Sequence, residues 1–119
     1  MKNKRPRLLL AAILVAIFSY LAYAEDLPNL TPYKHYGWSD KIVVSIQKGT
    51  NLDSSWITNI DTLYVDWGMR NTGTASAAAG FQNLLLVDGE VKQNRDRASP
   101  LNAGWSTAWT DIEIEPLSV

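Results

Sequence analysis

The sequence predicts an all-β fold, a sandwich of antiparallel strands, with an apolar segment ahead of it. Three observations carry this. Leu63, Val65, Trp67 and Met69 alternate with Tyr64, Asp66, Gly68 and Arg70 over one unbroken stretch. Strand side chains point to opposite faces in turn, so the first four share a face. That pattern describes a strand with one face on a core and the other toward water. Next, Asp88-Gly89 separates two strand-like runs, and a type I′ hairpin turn needs positive φ at both of its central positions. Finally, turn-forming residues recur at short intervals after residue 25, with no convincing helix among them.

The stretch Thr62–Gly73 is the centre of this reading. As a helix it would align Asp66 and Arg70 with Leu63 or Trp67, and Gly68 and Asn71 lower helix propensity. As a strand it buries four large side chains, each worth roughly 1.5–3 kcal/mol as an upper value.

Ahead of it, residues 1–24 have the form of a signal peptide. Lys2, Lys4, Arg5 and Arg7 make a positive start, Leu8 to Leu21 an apolar run, and Ala22-Tyr23-Ala24 a small-x-small cleavage site. An uncleaved anchor is the alternative, but a membrane-spanning helix needs about 20 apolar residues and this run is shorter. The remainder, 25–119, is read as one domain. Pro28 and Pro32 suit an extended lead-in or an edge strand. Lys41–Ile46 reads as a short β-branched strand, and Lys48–Asn59 as a long loop. Asn71–Gly80 reads as a flexible connection. Phe81–Asn94 is the hairpin, Leu101–Gly104 a turn, and Trp105–Glu115 a last strand ended by Pro116. Its parity puts Ala108, Ile112 and Ile114 on one face. Trp105, Trp109, Asp111, Glu113 and Glu115 fall on the other, unless a bulge swaps them.

Charge and cysteine usage narrow the function. From Glu25 onward seven Lys and Arg stand against all 12 acids, a net charge of −5. A mildly acidic domain has no electrostatic footprint for nucleic acid. There is no Cys, so an exported domain of this size relies on its hydrophobic core rather than on disulfides, and a lipid-anchored lipoprotein is not expected.

Several segments, in order, resemble the bacterial cell-adhesion-related domain family (CARDB). Pro28-Asn29-Leu30-Thr31 resembles its opening strand, and Asn71-x-Gly73-Thr74-Ala75 the turn after its long second strand. Leu86-Val87-Asp88-Gly89 is similar to its hairpin, and Leu101-Asn102-Ala103-Gly104 to its turn before the next strand. The resemblance implies an immunoglobulin-like β-sandwich, secreted or on the cell surface, used for adhesion or as a spacer in large exoproteins. The family continues into a further hairpin, so the sandwich is expected to lack its last strands. The chain is then a fragment of a longer frame, or is completed by a strand from a neighbouring domain or another chain.

Catalytic chemistry finds little support. His35, the only histidine, lies in a loop between Lys34 and Tyr36, a setting for an exposed side chain more than for a base. With one His and no Cys a zinc site is not expected. Asp111, Glu113 and Glu115 could share a strand face, with Asp53, Asp61 and Asp88 near turns. No Asp-x-Asp-x-Asp-Gly loop occurs, so these acids read as a solvated surface and no metal or other cofactor is expected. Trp67 is expected in the core, while Trp38 and Trp56 lie in loops that cap the ends. Trp105 and Trp109 sit four apart on one strand, roughly 13 Å by strand rise, and are the candidate ligand-binding residues. Aromatic faces beside acids can form a sugar platform. The alternative is that the two rings cover the core or a neighbouring element. The sequence therefore predicts a non-enzymatic exported module whose partner is a cell-surface protein or a glycan. A carbohydrate-binding module, or an accessory domain of a larger secreted enzyme, is the alternative.

Overall fold

A computed structural model describes residues 26–117; the signal-like segment 1–24 lies outside the described residues. Six strands form, all paired antiparallel. They are β1 (Leu30–Pro32), β2 (Ile42–Ser45), β3 (Leu63–Asn71), β4 (Gln82–Val87), β5 (Glu90–Asp96) and β6 (Ser106–Ile114). Among the described residues there is no helix.

The expected central strand is the centre of the first sheet. β6 runs along one edge of β3, while β1 and β2 share the other. Leu30 to Pro32 lie opposite Asn71 to Met69, and Ile42 to Ser45 lie opposite Trp67 to Tyr64. β4 and β5 make the second sheet, a hairpin turned at Asp88 (φ 52°) and Gly89 (φ 80°). Both values are positive, as a type I′ turn requires.

The core lies between the two sheets. Leu63, Val65, Trp67 and Ile114 are buried together, with Val44, Leu85, Trp109, Ile112 and Leu117 packed on them. The parity of β3 is as expected on this side. On β6 a bulge decides the faces. Val65 opposes Ile112 but Trp67 opposes Trp109, so β6 carries one more residue than β3 between these pairs. Asp111 takes φ 54° there. The bulge moves Trp109 onto the core face with Ile112 and Ile114, where its ring stacks on Trp67 at 5.8 Å and 20°. The simple parity, with Trp109 opposite the isoleucines, is thereby corrected.

The other face of β3 is not open to water, which corrects a second expectation. Asp66 is 3% exposed and neighbouring Val43, on the same side, 1%. At Gly68 the cover is the loop between β1 and β2. Tyr33 N–H donates to the Gly68 carbonyl at 2.9 Å, and Gly68 N–H donates to the Lys41 carbonyl at 3.2 Å. The chain thus leaves the edge of β3 and returns to it at one residue. Between those points His35 packs edge-on against Tyr33 and tilted against Trp38, with centroids 4.8 and 4.9 Å apart. The Arg70 guanidinium lies 5.4 Å from the Tyr33 ring centre. His35 Nε2 donates to the Thr107 carbonyl on β6 at 3.1 Å, because a carbonyl only accepts. His35 is therefore half-buried and structural rather than exposed. A strand's alternation reports which side chains could face water; it carries no information about a loop folded over them.

Gly68 makes this cover possible. A Cβ there would overlap the Tyr33 carbonyl oxygen and come within 2.5 Å of His35 Cδ2. Gly68→Ala is expected to destabilise the fold by roughly 1–3 kcal/mol through overpacking. Urea unfolding followed by Trp fluorescence measures this, and an unchanged midpoint would mean that the loop does not sit on Gly68.

Candidate functional site

Three polar side chains of the first sheet are buried, Ser45, Asp66 and Asn71, and the last two organise the structure around them. The larger construction centres on Asn71, the last residue of β3 and fully buried. Its Nδ2 donates to the carbonyls of Ala75 and Leu101 at 2.8 and 2.9 Å. Its Oδ1 accepts from the N–H groups of Asn29 and Gly73, both at 3.0 Å. Two carbonyls need donors and two N–H groups need an acceptor, so only one orientation of the amide satisfies all four. Its main chain adds two bonds, to the Trp105 carbonyl and from the Gly104 N–H. One residue therefore ties the lead-in to β1, the turn after β3 and the turn before β6.

Gly73 belongs to the same construction. A Cβ there would overlap the Leu27 carbonyl and lie 2.5 Å from Asn29 N, so the lead-in can approach only a glycine. Thr72 N–H donates to the Asn29 carbonyl and Thr74 N–H to that of Leu27. Ala77 and Leu101 exchange backbone bonds at 2.9 Å each way, and Leu101 is fully buried. The segment 71–80, expected as a flexible connection, is thus pinned at 71, 72, 73, 74, 75 and 77.

The second organising group is Asp66. Its Oδ1 accepts the Asp111 N–H at 2.6 Å, and Asp111 Oδ1 accepts the Gly49 N–H at 2.7 Å. The carboxylate holds the bulge of β6, and the bulge residue holds the loop after β2. Burial is the main influence on Asp66 and raises its pKa above the ordinary 3.8; the Asp111 N–H lowers it, and the nearby Asp111 charge raises it.

The two candidate ligand-binding residues differ in burial. Trp105 lies just before β6 and is 62% exposed, while Trp109 has one ring face stacked on Trp67. Of the two rings, Trp105 is exposed and Trp109 half-buried. Trp38 is buried against His35, but Trp56, expected to cap an end, is 79% exposed. Trp56 borders a cleft of ≈ 360 Å³ with Ser45, Gln47, Thr50 and Asp53. The polar atoms there are largely engaged by the loop itself: Asp53 binds Ser39 Oγ and Val44 N–H, and Ser54 Oγ accepts the Ile46 N–H. Asp61 likewise accepts the N–H and hydroxyl of Thr58. These carboxylates hold loops in place.

Sequence reasoning missed Asn71 and Asp66 as organising groups. Asn71 had a signal, since it shares the parity of Leu63, Val65, Trp67 and Met69 and is the one polar side chain on that face of β3. Asp66 had none, because its burial depends on a bulge and a distant loop.

No family model, curated protein or solved structure matches the chain.

The raised pKa of Asp66 has a definite sign. The folded chain holds this proton more tightly than the unfolded chain does. The group's contribution is therefore fully present below the unfolded value near 3.8 and is lost as pH rises through the folded value. Asp66→Asn removes the titration and keeps an acceptor for the Asp111 N–H. Its melting temperature relative to the parent is expected to rise between acid and neutral pH. A parallel pH profile for the two proteins would contradict this.

Proposed function

We propose that the chain is an exported, non-catalytic module with an immunoglobulin-like sandwich, similar to the bacterial cell-adhesion-related domain. Its role is surface adhesion or structural spacing within an exoprotein. The observation that carries this reading is the convergence at Asn71. The opening strand, the Asn71-x-Gly73 turn and the Leu101–Gly104 turn are three of the segments on which the resemblance rests. They meet at one buried amide. Unrelated turn motifs have no physical reason to share one four-bond centre, so their meeting supports reading them as parts of one pattern. The positively charged start, apolar run and small-x-small site of residues 1–24 support export. Fold likeness alone is a weak warrant for function, so the weight rests on these residues.

The test is production of the full chain with a C-terminal tag in a bacterium. The protein is expected outside the cytoplasm with Glu25 as its first residue, identified by mass spectrometry. It is further expected to retain cells or extracellular matrix on coated beads if its role is adhesion, and to leave beads bare if it is a spacer. Retention in the cytoplasm with residues 1–24 intact contradicts the export part. Turnover of a substrate that a single substitution abolishes contradicts the non-catalytic part.

A further inference from the structure

The free edge of β4 differs from every other sheet edge among the described residues. β1 is three residues long and ends in Pro32, which donates no hydrogen bond. β2 is covered, since Val44 N–H is held by Asp53 Oδ1 and its carbonyl by Ser54 N–H. β6 is bulged and carries Asp111 and Glu113. β5 carries Glu90, Lys92, Arg95 and Asp96, and it too is bulged: Leu85 opposes Gln93 and Leu86 opposes Val91, with Lys92 skipped. Short length, proline, bulges, charges and covering loops are the devices that keep edges from pairing. β4, Gln82-Asn83-Leu84-Leu85-Leu86-Val87, has none of them. Among the described residues it pairs with β5 alone.

Its outer face is apolar as well. Leu84, Leu86 and the cross-strand neighbour Val91 are each about half exposed, at 52%, 50% and 51%. Beside β4 lies an apolar cleft of ≈ 190 Å³, bordered by Leu30, Pro32, Ile42, Trp67 and Met69 of the first sheet and by Leu85. A strand added beyond β4 would extend the inner layer over that cleft.

We propose that this edge pairs with β4 of a second copy of the chain across a twofold axis, giving a continuous four-stranded sheet. The side-chain pattern is self-complementary. A twofold axis perpendicular to the sheet keeps both inner faces on one side, so opposed residues must have the same parity. Centred on Leu85, the pairing sets Leu84 against Leu86 of the second copy, Leu85 against itself and Asn83 against Val87. Centred on Leu84, it sets Leu85 against Asn83 and Leu86 against Gln82, matching apolar to polar. The Leu85 register is therefore the one that buries the exposed leucines on each other. Charge selects the same edge. β4 is uncharged, so self-pairing opposes no like charges, whereas β5 and β6 carry several. This proposal does not rest on the adhesive or spacer role.

The natural chain has no cysteine, which permits a register-specific test on the full chain. Leu84→Cys, Leu86→Cys and, as a collision control, the exposed Trp56→Cys are purified. Each is oxidised alone, and the first two are also oxidised as an equimolar mixture. Across the axis position 84 faces 86, while 84 to 84 is a diagonal of about 7–8 Å, beyond disulfide reach. The mixture is expected to give at least about tenfold more covalent dimer than any variant alone, since only directly opposed cysteines meet the geometric limits. Equal dimer in Leu84→Cys alone and in the mixture overturns the register. Dimer no greater in the mixture than in Trp56→Cys, or a monomer mass for the parent chain by sedimentation at tens of micromolar or more, overturns the proposal.

Discussion

The four hydrogen bonds of the Asn71 side chain are the constraint on which the arrangement of this protein depends. A buried carboxamide with an unmet donor or acceptor is costly, on the order of 1–3 kcal/mol for each group. With all four partners in place it specifies geometry, because Asn29, Gly73, Ala75 and Leu101 must each be at one position for the amide to be satisfied. Those four residues belong to segments that ladder bonds alone would leave loosely placed. β1 is only three residues long, and the bridge at Ala77 and Leu101 is isolated. Local propensity for these pieces is weak, and the amide supplies what propensity does not.

Around that knot, β3 is buried on both sides by different means. Its odd-numbered face carries the sheet-to-sheet core, where Leu85 of the hairpin and Trp109 of β6 meet Trp67. Its even-numbered face is closed by a loop rather than by a sheet. There the rings of Tyr33, His35 and Trp38 lie together, and Gly68 supplies the space they need. The arrangement explains why a polar-looking strand face holds an almost fully buried carboxylate. Asp66 is tolerated because the Asp111 N–H gives Oδ1 a partner, and the bulge that presents this N–H also turns Trp109 inward. One irregular residue in β6 thus serves the buried carboxylate and the aromatic stack together.

Much of the strand layout was legible in the sequence. The period of Leu63, Val65, Trp67 and Met69 located the central strand, because alternation records which side chains must leave water. Asp88-Gly89 located the hairpin, because few other dipeptides accept positive φ twice. What escaped notice depended on partners distant in sequence. Alternation cannot register a bulge, so Trp109 read as facing away from Ile112 and Ile114 although it shares the core face with them. It cannot register a covering loop, so His35 read as surface decoration although it bonds to Thr107, 72 residues away. Asn71 was legible only as a polar residue on an apolar parity. The ordered turn motifs hinted at a shared pattern without showing that a side chain joins them.

The measurement that bears most directly on this account is the unfolding free energy of Asn71→Ala, obtained by urea titration under conditions where the parent is stable. The substitution leaves the N–H groups of Asn29 and Gly73 and the Ala75 carbonyl without this partner, and leaves the Leu101 carbonyl with the Ala77 N–H alone. A loss of roughly 2–4 kcal/mol is expected for several such groups left unmet. It should be accompanied by faster amide exchange at Asn29 and Gly73. A loss under about 0.5 kcal/mol, the range of ordinary surface substitutions, with exchange unchanged at those two amides, would contradict the claim that this amide holds the three segments together.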